Sequence, residues 1–489
     1  MTADMSYSYD VDSYTPESGN FVVAVTHYDL ELDYRLSSNR LQAIATLIVV
    51  AHVTLSKFSL DLFGLVATKV IVDGARVARF AQSKNKLKIE TVTPIQAGQQ
   101  FSVVIKYGGN PAPMSTAWGE LGWEELTEGV LVAGQPHGAS TWFPCSDHPR
   151  NKASYRFTIT TDSPFHVVAN GTLVSRTVKA SRTRWVYDSP HPMPAYLATV
   201  QIGHYRPQQL PQGRVPLHSF IPDDIQDQFV ADFSCQRDMM DVFEKLFGDY
   251  PFEAYTVVVA DDDLEIPLES LGISVFGRNH VDGSKGSNRL VAHEMAHSWF
   301  GNSLTVSSWK DIWLQEGFAC YAEWLWSENS GGKSAAEWAE NFWLGLKDLP
   351  QDLKVGEPGP ELMFDDRVYK RGAVTVHAVR LLLGDEKFFD MLRAWTSDNK
   401  FGSVTTQDLL RHVSAYSDSD SDSDSDPESA SDVDEVVKSL FDAWLFSAAL
   451  PPFPLVPDVR PAVTSTESRK SGGSALKRVI QRRSATKKK

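Results

Sequence analysis

The segment VAHEMAHSWFGN places His293 and His297 four residues apart, with Glu294 between them. On a helix, positions i and i+4 share one face, so both imidazoles reach a single ion. Zinc takes nitrogen and oxygen donors in a tetrahedron, and a catalytic zinc keeps one position for water. Two histidines and one carboxylate leave that position open. In WLQEGFACYAEW, Glu316 follows His297 after 18 intervening residues, inside a stretch with the pattern of a second helix. Glu316 is therefore the candidate third ligand, and one zinc per chain is expected. Glu294 is then left to act as base, standing where it can take the attacking water's proton. A surface helix with a histidine pair is the alternative, since chance produces HExxH in roughly 2% of chains of this size and composition. Glu323 lies seven residues after Glu316 on the same helix face. That spacing fits a hydrogen bond to a ligand imidazole, and it fits an ordinary solvated acid equally well.

Two kinds of element must position these groups. From Phe21 to about Tyr205, runs such as HYDLELDY, TLIVVAHVTL, FSVVIKY and YRFTITT alternate apolar and polar residues between Gly, Pro, Asn and Ser turns. This period predicts an antiparallel β domain over residues 19–205. From Arg206 onward helical patterns take over, and a mostly helical catalytic domain is expected over residues 206–455. The run DFSCQRDMMDVFEKLF reads as one helix stopped by Gly248 and Pro251. Arg289 to Phe300, Gln315 to Trp326, Tyr369 to Leu383 and Thr406 to Ser414 read as further helices, and YTVVVA as a strand. Residues 1–18, the Ser/Asp-rich insertion over 417–435 and the basic tail over 456–489 lack core-forming residues and are expected to be disordered.

Composition narrows the function classes. With 489 residues, 42% of them hydrophobic and 11% aromatic, the chain can bury sizeable cores. The net charge of −15 persists in the body of the chain, because nine acids in 417–435 cancel nine Lys and Arg in 469–489. An acidic body argues against nucleic-acid binding. No apolar run reaches the roughly 18 residues that a membrane helix needs. The polar, acidic start MTADMSYSYD gives no secretory signal. Three cysteines, with no CxxC among them, point to a reducing compartment, and a cytoplasmic monomer is expected.

HExxH, 18 residues and then Glu, set within HEMAHSWFGN and DIWLQEGFACYAE, resembles the gluzincin aminopeptidases, the family of aminopeptidase N and leukotriene hydrolase. The segments QPHGASTWFPCSDHPRNKASYRF, PMPAYLATVQIGHY, VYKRGAVTVHAVRLLLG and SLFDAWLFSAALPPFP extend the likeness over about residues 20–455. The resemblance implies an N-terminal β domain followed by a thermolysin-like catalytic domain, in a short form without the C-terminal helical domain of many relatives. It implies zinc at His293, His297 and Glu316, with Glu294 as general base and acid. Tyr369 matches the family tyrosine that hydrogen-bonds the oxyanion of the tetrahedral intermediate, while Arg371-Gly372 stands where the family has Lys-Gly. Glu269, in EIPLESLGISVFG, matches the glutamate that pairs with a substrate's α-ammonium; Ile266, Leu268 and Ser270 replace the family's Gly, Met and Asn there. Gln135 matches a glutamine lining the same pocket. The implied activity is release of the first residue from peptides with a free N-terminus. A zinc endopeptidase is the alternative should Glu269 not bind the amine.

Overall fold

Alternation at period two builds the first half of the protein. In Arg40–Ala51, every second residue from Leu41 to Ala51 is buried, and the residues between them face a wetter side. The computed structural model describes residues 11–211, 213–417 and 427–454. Its largest sheet has eight strands in the order Thr172–Lys179, Arg182–Pro194, Lys152–Asp162, Val23–Arg35, Arg40–Ala51, Gln100–Gly109, Val66–Val72 and Ala75–Arg76. The expectation of antiparallel pairing needs one correction, because Val23–Arg35 runs parallel to Lys152–Asp162 with Leu30 opposite Phe157. These two strands are far apart in sequence, so no hairpin dictates their direction. Two smaller sheets complete this half, one of them joining His166–Ala169, Val200–Gly203, Gly129–Ala133, Gly119–Leu126 and Met114–Thr116.

Arg206–Gln209 begins a second, mixed sheet whose further strands, in spatial order, are Leu217–Ile221, Tyr255–Val259, Ile273–Phe276 and Leu268–Ser270. The last of these is a three-residue edge strand, turned back on Ile273–Phe276 through Gly272 at φ +71°. Only a residue free to adopt a positive φ makes that turn without strain. The helices that follow are α1 (Gln226–Phe233), α2 (Gln236–Phe247), α3 (Asn288–Ala296), α4 (Trp313–Asn329), α5 (Ala335–Lys347), α6 (Asp366–Leu383), α7 (Asp385–Asp398), α8 (Thr406–Ser417) and α9 (Pro427–Phe441). The single helix expected from Asp232 is broken, since α1 ends at Phe233 and α2 starts at Gln236. No helix among the described residues is long and apolar enough to cross a membrane.

One hydrophobic core runs from Tyr14 through both halves to Leu445. Polar bonds stitch the seam. Lys152 Nζ donates to the carbonyls of Ser303 and Gly402, and Asn170 Nδ2 donates to those of Leu197 and Leu271. Arg371 donates to the carbonyls of Ala443, Trp444, Ser447, Ala448 and Ala449, which pins the end of the fold to α6. A guanidinium has five donors and satisfies such a cluster better than a lysine's point charge.

Two expected disordered segments are corrected in part. Residues 11–18 are packed: Asp12 is 4% exposed, and its carboxylate accepts from the backbone N–H of Tyr14 at 2.9 Å and of Trp309 at 2.8 Å. The Tyr14 hydroxyl accepts from the Gly359 N–H at 2.8 Å. Composition cannot reveal this, because two polar anchors and one ring do the work of a longer apolar run. Within 417–435, Ser417 closes α8 and α9 begins at Pro427, where Val437 and Phe441 bury one face. Residues 1–10, 418–426 and 455–489 lie outside the described residues.

Asp12 thus ties the N-terminal strap to the turn that leads into α4. Replacing Asp12 by Ala leaves two backbone N–H groups without their acceptor, at a cost of about 1–3 kcal/mol. Urea unfolding of Asp12→Ala is expected to show a lower midpoint with an unchanged slope. A midpoint equal to wild type would mean that the strap bears no load.

Candidate metal centre

The helix α3 lies inside the core. Val291, Ala292, Met295 and Ala296 are buried on its successive faces, and the histidines are buried with them, His293 at 8% and His297 at 1% exposure. A surface pair is thereby excluded. His297 caps α3, and its Nδ1 lies 3.0 Å from the Phe300 carbonyl. That acceptor places the ring proton on Nδ1 and leaves Nε2 as the free donor. The turn that follows needs Gly301, at φ +126°, where a Cβ would sit 3.1 Å from His297 Nδ1.

Glu316 enters from the first turn of α4. Its Oε2 lies 3.4 Å from His293 Nε2 and 3.6 Å from His297 Nε2, and one ligating atom from each of the three falls within 4.8 Å of the others. Donors about 2.0–2.1 Å from a tetrahedral zinc stand about 3.3 Å apart, so the three close on an ion with little movement. The electrostatics agree. Burial would lower His293, but contacts with Glu316 and Glu323 overcome it and raise the imidazole to about 10. Burial instead takes His297 down to about 4. Burial also pushes against ionisation of Glu316, yet His297, His293 and the Tyr369 hydroxyl hold its carboxyl below the usual range. The pocket therefore favours positive charge beside Glu316, as a divalent cation would supply.

The other expected residues gather at the same point. Glu294 is buried, its Oε2 makes no hydrogen bond among the described residues, and burial pushes it up to about 7. A ligating atom each of Glu269, Glu294 and His297 also falls within a 4.8 Å set. Gln135 Nε2 donates to Glu269 Oε1 at 2.6 Å. Burial, then the charges of Glu316 and Glu294, drive Glu269 well above the ordinary carboxylate range. Tyr369 stands beside His293 with ring centroids 6.0 Å apart and planes 20° from parallel. Glu323 proves to be a partner rather than a solvated acid: its Oε1 is 2.8 Å from His293 Nδ1 and its side chain is 1% exposed.

Other contacts explain the placement. A Cβ on Gly372 would lie 3.0 Å from Gly317 Cα, so α4 and α6 cross at backbone contact and bring Tyr369 to Glu316. Asn302 Nδ2 donates to the Ser270 carbonyl at 2.9 Å, which holds the edge strand bearing Glu269 against the end of α3. Gln315, next to Glu316, donates to the Tyr196 hydroxyl at 3.3 Å across the seam. Sequence reasoning missed Tyr196 and also missed Arg289, which bonds both oxygens of Glu323. Arg289 lies one helical turn before His293, a spacing that could have found it.

A family profile described as "Peptidase family M1 domain" matches residues 232–444, and "Peptidase M1 N-terminal domain" matches residues 24–197. The chain is 27% identical to aminopeptidase RNPEPL1 of Homo sapiens over 358 residues, 68% of this chain and 48% of that one. It is 24% identical to leucine aminopeptidase 2-1 of Meyerozyma guilliermondii, over 89% of this chain and 70% of the relative. The chain spans about half the length of several curated relatives it matches. Among solved structures, a mutant M1 zinc metallopeptidase from Deinococcus radiodurans bound to a Tyr-Ser-Ala substrate superposes with TM-score 0.80 and 26% identity. The superposition covers 91% of this chain and 99% of that one.

The donor set predicts one zinc per chain by metal analysis of the purified protein, and none in His297→Ala. A full complement of zinc in that variant would dismiss the assigned ligands.

Proposed function

Because the chain belongs to peptidase family M1, with both the N-terminal and the catalytic domain of that family matched, we propose that it is a zinc aminopeptidase that removes the first residue from peptides. The observation that carries the reading is the Gln135–Glu269 pair, which places a carboxylate on an edge strand beside the three metal donors. A carboxylate there limits how far a peptide can extend and pairs with the α-ammonium at its end. Relatives named aminopeptidase B and leucyl aminopeptidase support the same class. A solved neighbour bound to a tripeptide substrate supports a peptide ligand.

When bound, zinc supplies Lewis acidity toward the scissile carbonyl and the attacking water. Glu294, buried and with one oxygen unpaired, takes the water's proton and hands it to the leaving amine. The Tyr369 hydroxyl donates to the carbonyl oxygen as negative charge grows on it. Glu269 fixes the substrate's amine, and Gln135 keeps that carboxylate in place. Every group comes from one chain, so a monomer suffices as the acting unit. Free Cys145, Cys235 and Cys320 suit a reducing compartment such as the cytoplasm.

Two outcomes test this reading. Glu294→Gln is expected to keep its zinc and lose at least about 10²-fold in turnover, since an amide cannot carry the proton. A near-normal rate would place the base elsewhere. A short peptide with a free N-terminus is expected to be trimmed one residue at a time, while its N-acetylated twin stays intact. Glu269→Ala is expected to weaken kcat/KM on the free peptide by roughly 2–4 kcal/mol in transition-state terms. Internal cleavage of the acetylated peptide at a comparable rate would mark an endopeptidase instead.

A further inference from the structure

Arg289 and Glu323 take no part in the chemistry above, yet they pair one layer outside the metal donors. Arg289 Nη1 stands 3.0 Å from Glu323 Oε1 and 2.9 Å from Oε2. The same Oε1 is 2.8 Å from His293 Nδ1. Arg289 lies on α3 one turn before His293, and Glu323 lies on α4 seven residues after Glu316. The pair thus cross-links the two helices that carry the metal donors.

A glutamate's last torsion is soft, so a carboxylate held by one imidazole swings. Arg289 Nη1, bonded to both oxygens, holds the carboxylate with Oε1 on Nδ1. That contact sets the His293 tautomer and points Nε2 at Glu316. Arg289 is half-exposed, with 51% of its side chain accessible, but its acceptor is buried at 1%, where removing a partner is costly. We propose that Arg289 is a positioning residue for the metal centre: it orients Glu323 and, through it, His293, so zinc retention depends on a cation that never touches the ion. The proposal rests on the zinc reading above.

The test measures the zinc dissociation constant of the full chain by competition with a chromogenic chelator. It compares wild type with Arg289→Met and Arg289→Lys. Thermal melting of each metal-free protein serves as the fold control. Loss of a supporting partner outside the ligands is expected to weaken zinc binding about tenfold in Arg289→Met. Arg289→Lys is expected to recover part of the loss, because the charge returns on a shorter side chain with a differently placed nitrogen. A merely structural role would lower the melting temperature and leave the zinc constant alone. A zinc constant within about twofold of wild type in Arg289→Met overturns the proposal. Should Arg289→Met fail to fold, Arg289→Lys decides: a weaker constant supports the clamp and an unchanged one overturns it. Wild-type protein that binds no zinc would instead reject the metal reading itself.

Discussion

Four carboxylates converge on one point of this protein, and the rest of the structure answers to that convergence. Glu294, Glu316 and Glu323 are buried, and Glu269 is half-buried beside them. Desolvated negative charges at this spacing raise one another's pKa and destabilise the fold unless cations match them. Each acid has a different remedy. Glu316 faces the two histidines with which it could hold a metal ion. Glu323 has His293 and Arg289. Among the described residues, the side-chain hydrogen-bond partner of Glu269 is the neutral amide of Gln135, which leaves its charge unmatched. Glu294 keeps one oxygen unpaired and is suited to receive a proton. The division of labour follows from which cation each carboxylate lacks.

Holding these groups together sets demands on the scaffold. The helices α4 and α6 approach to backbone contact at Gly317 and Gly372, because any side chain there would separate Glu316 from Tyr369. The edge strand Leu268–Ser270 is too short to hold itself in place, and Asn302 on the α3 side and Asn170 on the β side anchor its turn. The N-terminal β half therefore forms part of the site: it supplies Gln135 and Tyr196 and braces the strand that carries Glu269.

Legibility in the sequence followed the range of the interaction. His293, Glu294 and His297 were readable because a helix fixes i and i+4 on one face, and Glu323 because seven residues make two turns. Glu316 was readable only as a carboxylate on a second helix, and its 3.4 Å approach to His293 depends on how α3 and α4 pack. Gln135 and Glu269 are 134 residues apart, and only a resemblance joined them before the seam was seen. Asp12 and Tyr14 were read as disordered because composition registers missing apolar residues and not two well-placed acceptors. The same blindness hid the parallel pairing of Val23–Arg35, which no local pattern encodes.

The central claim is that Glu269, beside the metal donors, receives a peptide's terminal ammonium. A crystal structure of Glu294→Gln loaded with zinc and an unblocked tripeptide tests it most directly. The account predicts the terminal nitrogen within hydrogen-bond distance of Glu269, and the first carbonyl oxygen turned toward the metal and the Tyr369 hydroxyl. A peptide that runs through the site with residues on both sides, its amine away from Glu269, would contradict it.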